Sequence, residues 1–264
     1  MPPADIATFR WLGAEAMHLD TPTVANCGRV TIGCYGGATR AGADRNEDAA
    51  LVWCARDGDW EFSVLVDAHF SAESAVLLID ALSAERDAVT AMMSGPLATF
   101  APTLHGHLVG LFASQAFRDR CHEVTGEASI VLCARRACYL WWLSVGDVML
   151  YLLHPELARL GQFALTQRNF FEWIGERNTF DLAVPCYSSG VRELLPGTTT
   201  VLLATDGLFE YAHAPFADPS RLYRLFTSGP KDAVPDHVHE ALSAVHRGGG
   251  RDSATVIAWR CDVR

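Results

Sequence analysis

No two of the eight cysteines stand in a CxxC pair, so neither a zinc ribbon nor a thioredoxin-like redox motif is encoded. Several lie inside apolar runs, as Cys133 does in "SIVLCA". They read as small core residues of a reducing cytosol, not as a disulfide frame. No run of lysine and arginine exists. The balance is 21 basic against 31 acidic side chains, a formal charge of −10, which speaks against a groove that tracks nucleic-acid phosphates. No apolar stretch reaches the length of a membrane span. The opening "MPPADIATFRWLGAEAMHLD" lacks a basic stretch followed by an apolar core, so no leader is expected there. The expected compartment is the cytoplasm, with no membrane and no nucleic acid as partner. There is also no internal repeat and no low-complexity linker.

What is present is a globular composition. Of 264 residues, half are hydrophobic and a fifth charged, enough to bury a core without staples. Residues 1–27 read as an N-terminal extension and 28–264 as one domain. From Gly28 the pattern is strand-like: "RVTIGCYGG", then "AALVWCA", then "EFSVLVD" after a "DGD" turn. Ala72, Ala75, Val76, Ile79 and Leu82 repeat at helical spacing, with Ser71 as N-cap. A second helix is expected from about Leu104 to Cys121. Strands return in "ASIVLCAR", "ACYLWWLSV" and "VMLYLLH". Residues 154–196 have weak periodicity and read as a loop-rich insertion with short helices. "TTTVLLATDG" is a strand, "ADPSRLYRLF" and "VPDHVHEALSAVH" are helical, and "GGGRDSATVIAWRC" enters a last strand. Blocks of strands and helices in this order indicate an α+β layered fold.

Acids recur where these strands begin or end: Asp48 after "RNE", Asp67 closing "EFSVLVD", Asp147 in a tight "GD", Asp206 closing "VLLATD", Asp252 before "SATVIAW". One such aspartate is an ordinary turn residue. Five at the ends of the most apolar strands converge if those strands lie side by side, and converging carboxylates repel unless cations sit between them. Hard divalent cations, Mg²⁺ or Mn²⁺, prefer such an all-oxygen set.

The blocks "NEDAALV", "FSVLVDAH", "GEASIVL", "WWLSVGDVMLYLL", "LLATDGLFEY" and "GGGRDSATVIAW" resemble, in order, those of the PP2C (PPM-type) metal-dependent Ser/Thr protein phosphatases, over roughly residues 30–262. The resemblance implies a four-layer α-β-β-α sandwich, two antiparallel sheets flanked by helices, with a metal site at one end. It implies two Mn²⁺ or Mg²⁺ ions, with a weaker third. Asp67 would bridge the pair, and Asp206 and Asp252 would complete the first ion. Glu47, through water, and the Ala68 carbonyl would serve the second. Asp48, grouped with the metal set, would orient the network, and Asp147 with Asp206 would hold the third ion.

The implied reaction is hydrolysis of a phosphoprotein monoester by water activated between the two ions. His69 would be the general acid, since an imidazole titrates close to neutrality. No phosphoenzyme is implied, and a monomer is expected. The chain departs from the family where Asp-Gly-His-Gly-Gly is replaced by "DAHFS". It departs again at Ala43, where the family places its phosphate-binding arginine; Arg45, or Arg40, is the candidate substitute. Residues 165–181 lie where the family carries a flap. Two other readings stay open: a catalytically weak PP2C-like regulatory or binding module, and an enzyme acting on a small phosphate ester.

Overall fold

The computed structural model describes residues 5–264. In chain order come β1 (Ile6–Leu12), β2 (Thr23–Cys27), β3 (Val30–Tyr35), β4 (Ala49–Ala55) and β5 (Trp60–His69). Four helices follow: α1 (Glu73–Ala84), α2 (Arg86–Ser94), α3 (Phe100–Ala113) and α4 (Gln115–Cys121). Then come β6 (Glu127–Arg136), β7 (Tyr139–Val145), β8 (Met149–Leu153), α5 (Pro155–Arg159), β9 (Ile174–Gly175) and β10 (Ser188–Glu193). The chain closes with β11 (Gly197–Ala204), α6 (Pro219–Thr227), α7 (Val234–Gly248) and β12 (Ala254–Val263). A seven-stranded sheet runs β1-β4-β5-β6-β7-β10, with β9 beside β6; a five-stranded sheet runs β2-β3-β12-β11-β8. Every strand pair is antiparallel.

Period-two alternation sorts the residues into layers. On β5, Phe62, Val64, Val66 and Ala68 pack with Ile79 of α1, Leu104 of α3 and Phe117 of α4, while Leu65 faces the other way. On β11, Val201 and Leu203 join Leu65 between the sheets, and Leu202 and Ala204 pack under Phe226 of α6 and Leu242 of α7. The order is helices, sheet, sheet, helices, so the α-β-β-α sandwich is the observed architecture. Each fully buried side chain of this kind, such as Phe62, contributes about 1.5–3 kcal/mol.

The face of β5 that carries Leu65 also carries Glu61 and Asp67, at opposite ends. Glu61 accepts two hydrogen bonds from Arg135, both 2.6 Å, and pairs with Arg29 at 2.8 Å. Asp67, about 20 Å along the strand by its rise per residue, has no ion pair with a basic side chain among the described residues. One buried acid is neutralised by arginine and the other is left for something else.

Several expectations need correction. The segment 1–27 is not an appendage over its described part: β1 pairs with β4 from Ile6↔Ala55 to Leu12↔Ala49, and β2 pairs with β3. Residues 1–4 lie outside the described residues. The helix expected from Leu104 to Cys121 is two helices, broken at Ser114, whose hydroxyl caps α4 by accepting from the Phe117 N–H at 3.2 Å. Helix α2 and strand β10 were not expected. Ser71 is not the N-cap, which is Ala72; from one residue earlier its hydroxyl accepts from the Glu73 N–H at 3.2 Å. Six of the eight cysteines are buried as expected; Cys138 is half-buried and Cys186 exposed, and all are free thiols.

Candidate metal centre

Asp67 lies in register opposite Ser129 of β6. The Ser129 hydroxyl donates to Asp147 at 2.6 Å, which holds the turn between β7 and β8 against the end of β5. As a result, one oxygen each of Asp67 and Asp147 and one ring nitrogen of His69 lie within 4.8 Å of one another. The other sheet supplies the rest. Asp206 opens a short 3-10 turn, Asp206–Leu208, directly after Thr205. Gly207 makes that turn possible, because a Cβ there would sit 1.9 Å from the carbonyl oxygen of Ser253. The same close approach brings in Asp252. Asp48 lies beneath, accepting from Thr255 Oγ1 at 2.6 Å, Thr205 Oγ1 at 3.0 Å and Ser253 Oγ at 3.0 Å.

The charges of these carboxylates act on one another. Asp67 is pushed well above the usual carboxylate range, first by burial and then by the charges of Asp48, Asp206, Asp252 and Asp147. Asp206 is pushed up to about 8 by burial, with Asp252 and Asp147 adding to it. Asp48 is pushed up to about 7 by burial, against the pull of its three hydroxyl donors. Desolvation also raises Glu47 and Asp252. Two carboxylate oxygens, Asp67 Oδ2 and Glu47 Oε1, are buried with no hydrogen-bond partner. An unpartnered buried carboxylate is costly. Crowded acids, orphaned oxygens and a donor set made mostly of carboxylate oxygen together fit hard divalent cations.

The remaining expected residues are placed as follows. Ala68 is buried in β5 opposite Ala128, with no positive φ; the strained position is Phe70, at φ 70° and three-quarters exposed. His69 ends β5 and meets the ring of Trp173 edge-on, with centroids 5.0 Å apart. Arg45 is largely exposed and pairs through Nε with Glu47 at 3.0 Å. Arg40 is not free to bind phosphate: it donates to the carbonyls of His246 at 2.7 Å and Arg247 at 3.1 Å, holding the last turn of α7. Arg45, Glu47, Glu210, Arg251 and Asp252 line one open cavity of about 340 Å³.

Two residues were missed. Arg168, in the segment 165–181, places Nη2 at 3.3 Å from Asp147, 3.5 Å from Asp206 and 2.5 Å from Glu210, with its guanidinium over the Phe170 ring. Glu210 follows Asp206 by four residues. An arginine beside the aromatic pair Phe170 and Phe171, in a chain rich in acids, was the available signal for the first; nothing marked the second.

No family model and no curated protein matches the chain. Solved structures do. PppA of Pseudomonas aeruginosa is 19% identical over 89% of this chain and 98% of its own, with a TM-score of 0.62. Stp1 of Staphylococcus aureus, a serine/threonine phosphatase, is 14% identical over 98% and 95%, with a TM-score of 0.61. The catalytic domain of the serine/threonine phosphatase PstP, solved with two manganese ions, is 17% identical over 89% and 98%, with a TM-score of 0.62. The chain has the fold of the PP2C-type phosphatases. On the PP2C fold its acid cluster sits where strands of both sheets end together. Among the described residues, no helix is long and apolar enough to cross a membrane.

Proposed function

We propose that this chain is a Mn²⁺- or Mg²⁺-dependent phosphatase of phosphoserine or phosphothreonine in proteins. The observation that carries the reading is the pair of orphaned carboxylate oxygens on Asp67 and Glu47 within a cluster of crowded acids. Asp67 would be shared by two ions, Asp206 and Asp252 would complete one, and Glu47 and the Ala68 carbonyl would serve the other. Asp147 with Asp206 would hold a weaker third. Asp48, its oxygens already taking three hydroxyl donors, orients the network. What bound ions supply is a water-derived nucleophile at neutral pH and charge balance on the phosphoryl oxygens.

The chain's own groups do the rest. Arg45 offers donors to the phosphoryl oxygens. His69, its ring steadied by Trp173, gives a proton to the departing alcohol oxygen as the phosphorus–oxygen bond breaks. Water supplies the oxygen that replaces it.

The test is turnover of p-nitrophenyl phosphate and of a phosphopeptide with added Mn²⁺. Activity that Asp206→Asn abolishes supports the reading; an inactive wild type, or an Asp206→Asn variant at full rate, defeats it. Turnover of small phosphate metabolites but not of phosphopeptides would move the substrate class.

A second reading, a catalytically weak regulatory or binding module, draws on two features. Phe70 stands strained beside His69, and the Arg168 guanidinium already occupies Asp147 and Asp206. Calorimetry showing tight Mn²⁺ binding without turnover would select it.

A further inference from the structure

We propose that Arg251 is the principal phosphate-binding side chain of this site, recognising the phosphoryl dianion of the substrate; this rests on the phosphatase reading above. The candidates are few. Arg40 is held by α7 carbonyls, Arg168 by three carboxylates, and Arg45 by Glu47. Ala43, on the wall of the same cavity, brings no charge. Arg251 lines that cavity with Arg45, and no hydrogen bond or ion pair engages its side chain among the described residues.

Its backbone is held firmly. The Ala38 N–H donates to the Gly250 carbonyl at 2.8 Å, and the chain around Gly37 lies so close that a Cβ there would fall 2.0 Å from the Arg251 carbonyl oxygen. The side chain runs past Gly42, where a Cβ would stand 3.7 Å from Arg251 Nε, an ordinary contact. Glycine at 42 suits the left-handed backbone there, at φ 93°.

A phosphate dianion entering this cavity meets Glu47, Glu210 and Asp252. Bound ions offset part of that repulsion. A guanidinium adds a planar two-donor fork matched to two phosphoryl oxygens. An arginine already paired must exchange a carboxylate for the phosphate, whereas Arg251 gives up only its through-space attraction to Asp252. The larger net gain therefore falls to Arg251.

The experiment measures inorganic phosphate binding to the Mn²⁺-loaded protein by calorimetry, alongside phosphopeptide kinetics, for wild type, Arg251→Ala, Arg251→Lys and Arg45→Ala. Arg251→Ala is expected to weaken phosphate binding and raise KM by about ten- to a hundredfold, with kcat changed far less. Arg251→Lys recovers part of the loss, Arg45→Ala loses less, and the Mn²⁺ affinity of the two Arg251 variants stays at the wild-type value. Phosphate binding unchanged in Arg251→Ala, absent from the wild type, or lost together with Mn²⁺ affinity would each overturn the assignment, the last because the effect then runs through Asp252. A wild type that binds phosphate through Arg251 but turns nothing over defeats the phosphatase reading and leaves this one standing.

Discussion

Asp67 and Phe70 sit three residues apart and are both expensive. Asp67 carries a buried oxygen without a donor among like charges, and Phe70 holds a left-handed backbone with a large side chain in solvent. Asp67→Asn is expected to abolish Mn²⁺ binding in calorimetry and yet raise the melting temperature of the metal-free protein. A structural aspartate would lower it instead. Phe70→Gly relieves a conformation that costs about 1–2 kcal/mol and is expected to raise Tm by a few degrees in a thermal melt. Arg168 is the cation that Asp147 and Asp206 already have. Arg168→Ala should therefore lower the melting temperature without metal and tighten Mn²⁺ binding in titrations, since an ion no longer competes with the guanidinium. Unchanged Mn²⁺ affinity would show that the guanidinium and the ion do not share those oxygens.

At the level of elements, the two ends of β5 make a controlled comparison. Arg135 neutralises Glu61 far from the acid cluster. Arg135→Met leaves a buried charge short of its main partner and is expected to cost about 3–5 kcal/mol in denaturant melts, with Mn²⁺ affinity unaltered. The elements legible in the sequence were those with one clear pattern: β5, β6, β11 and β12 are near-continuous apolar runs buried on both faces, and α7 repeats at helical spacing. Strand β10, "SSGVRE", is mostly exposed on a sheet edge and has no apolar period to read. Strand β1 is similarly mixed, which is why it passed for an extension. Ser114 ends one helix and caps the next with no proline or glycine at the break to mark it. The five aspartates were legible because each stands at or near a strand end; Glu210, which does not, was missed. Arg168 and Arg251 were not, because they belong to loops whose meeting is decided only by the packing of two sheets.

For the whole molecule, the raised carboxyl groups set the dependence on pH. A group that titrates higher in the fold than in the unfolded chain favours the fold while it is protonated. That contribution is complete below about pH 4, the unfolded aspartate value. It is lost as pH rises toward about 7 for Asp48 and about 8 for Asp206. The metal-free protein is therefore expected to lose thermal stability between about pH 5 and pH 8. Saturating Mn²⁺ should flatten or reverse that slope, with protons released on binding. Differential scanning calorimetry across this range, with and without Mn²⁺, checks both; a metal-free protein whose stability climbs with pH would contradict the crowding.

Asp48 precedes β4 of one sheet, while its three hydroxyl donors belong to the ends of β11 and β12 in the other. The two halves of the sandwich are thus stitched together just below the acids by bonds that need no ion. A chelator should empty the mouth of the protein without unzipping it, so that starvation for metal produces a dormant, refillable molecule and not the first stage of its destruction.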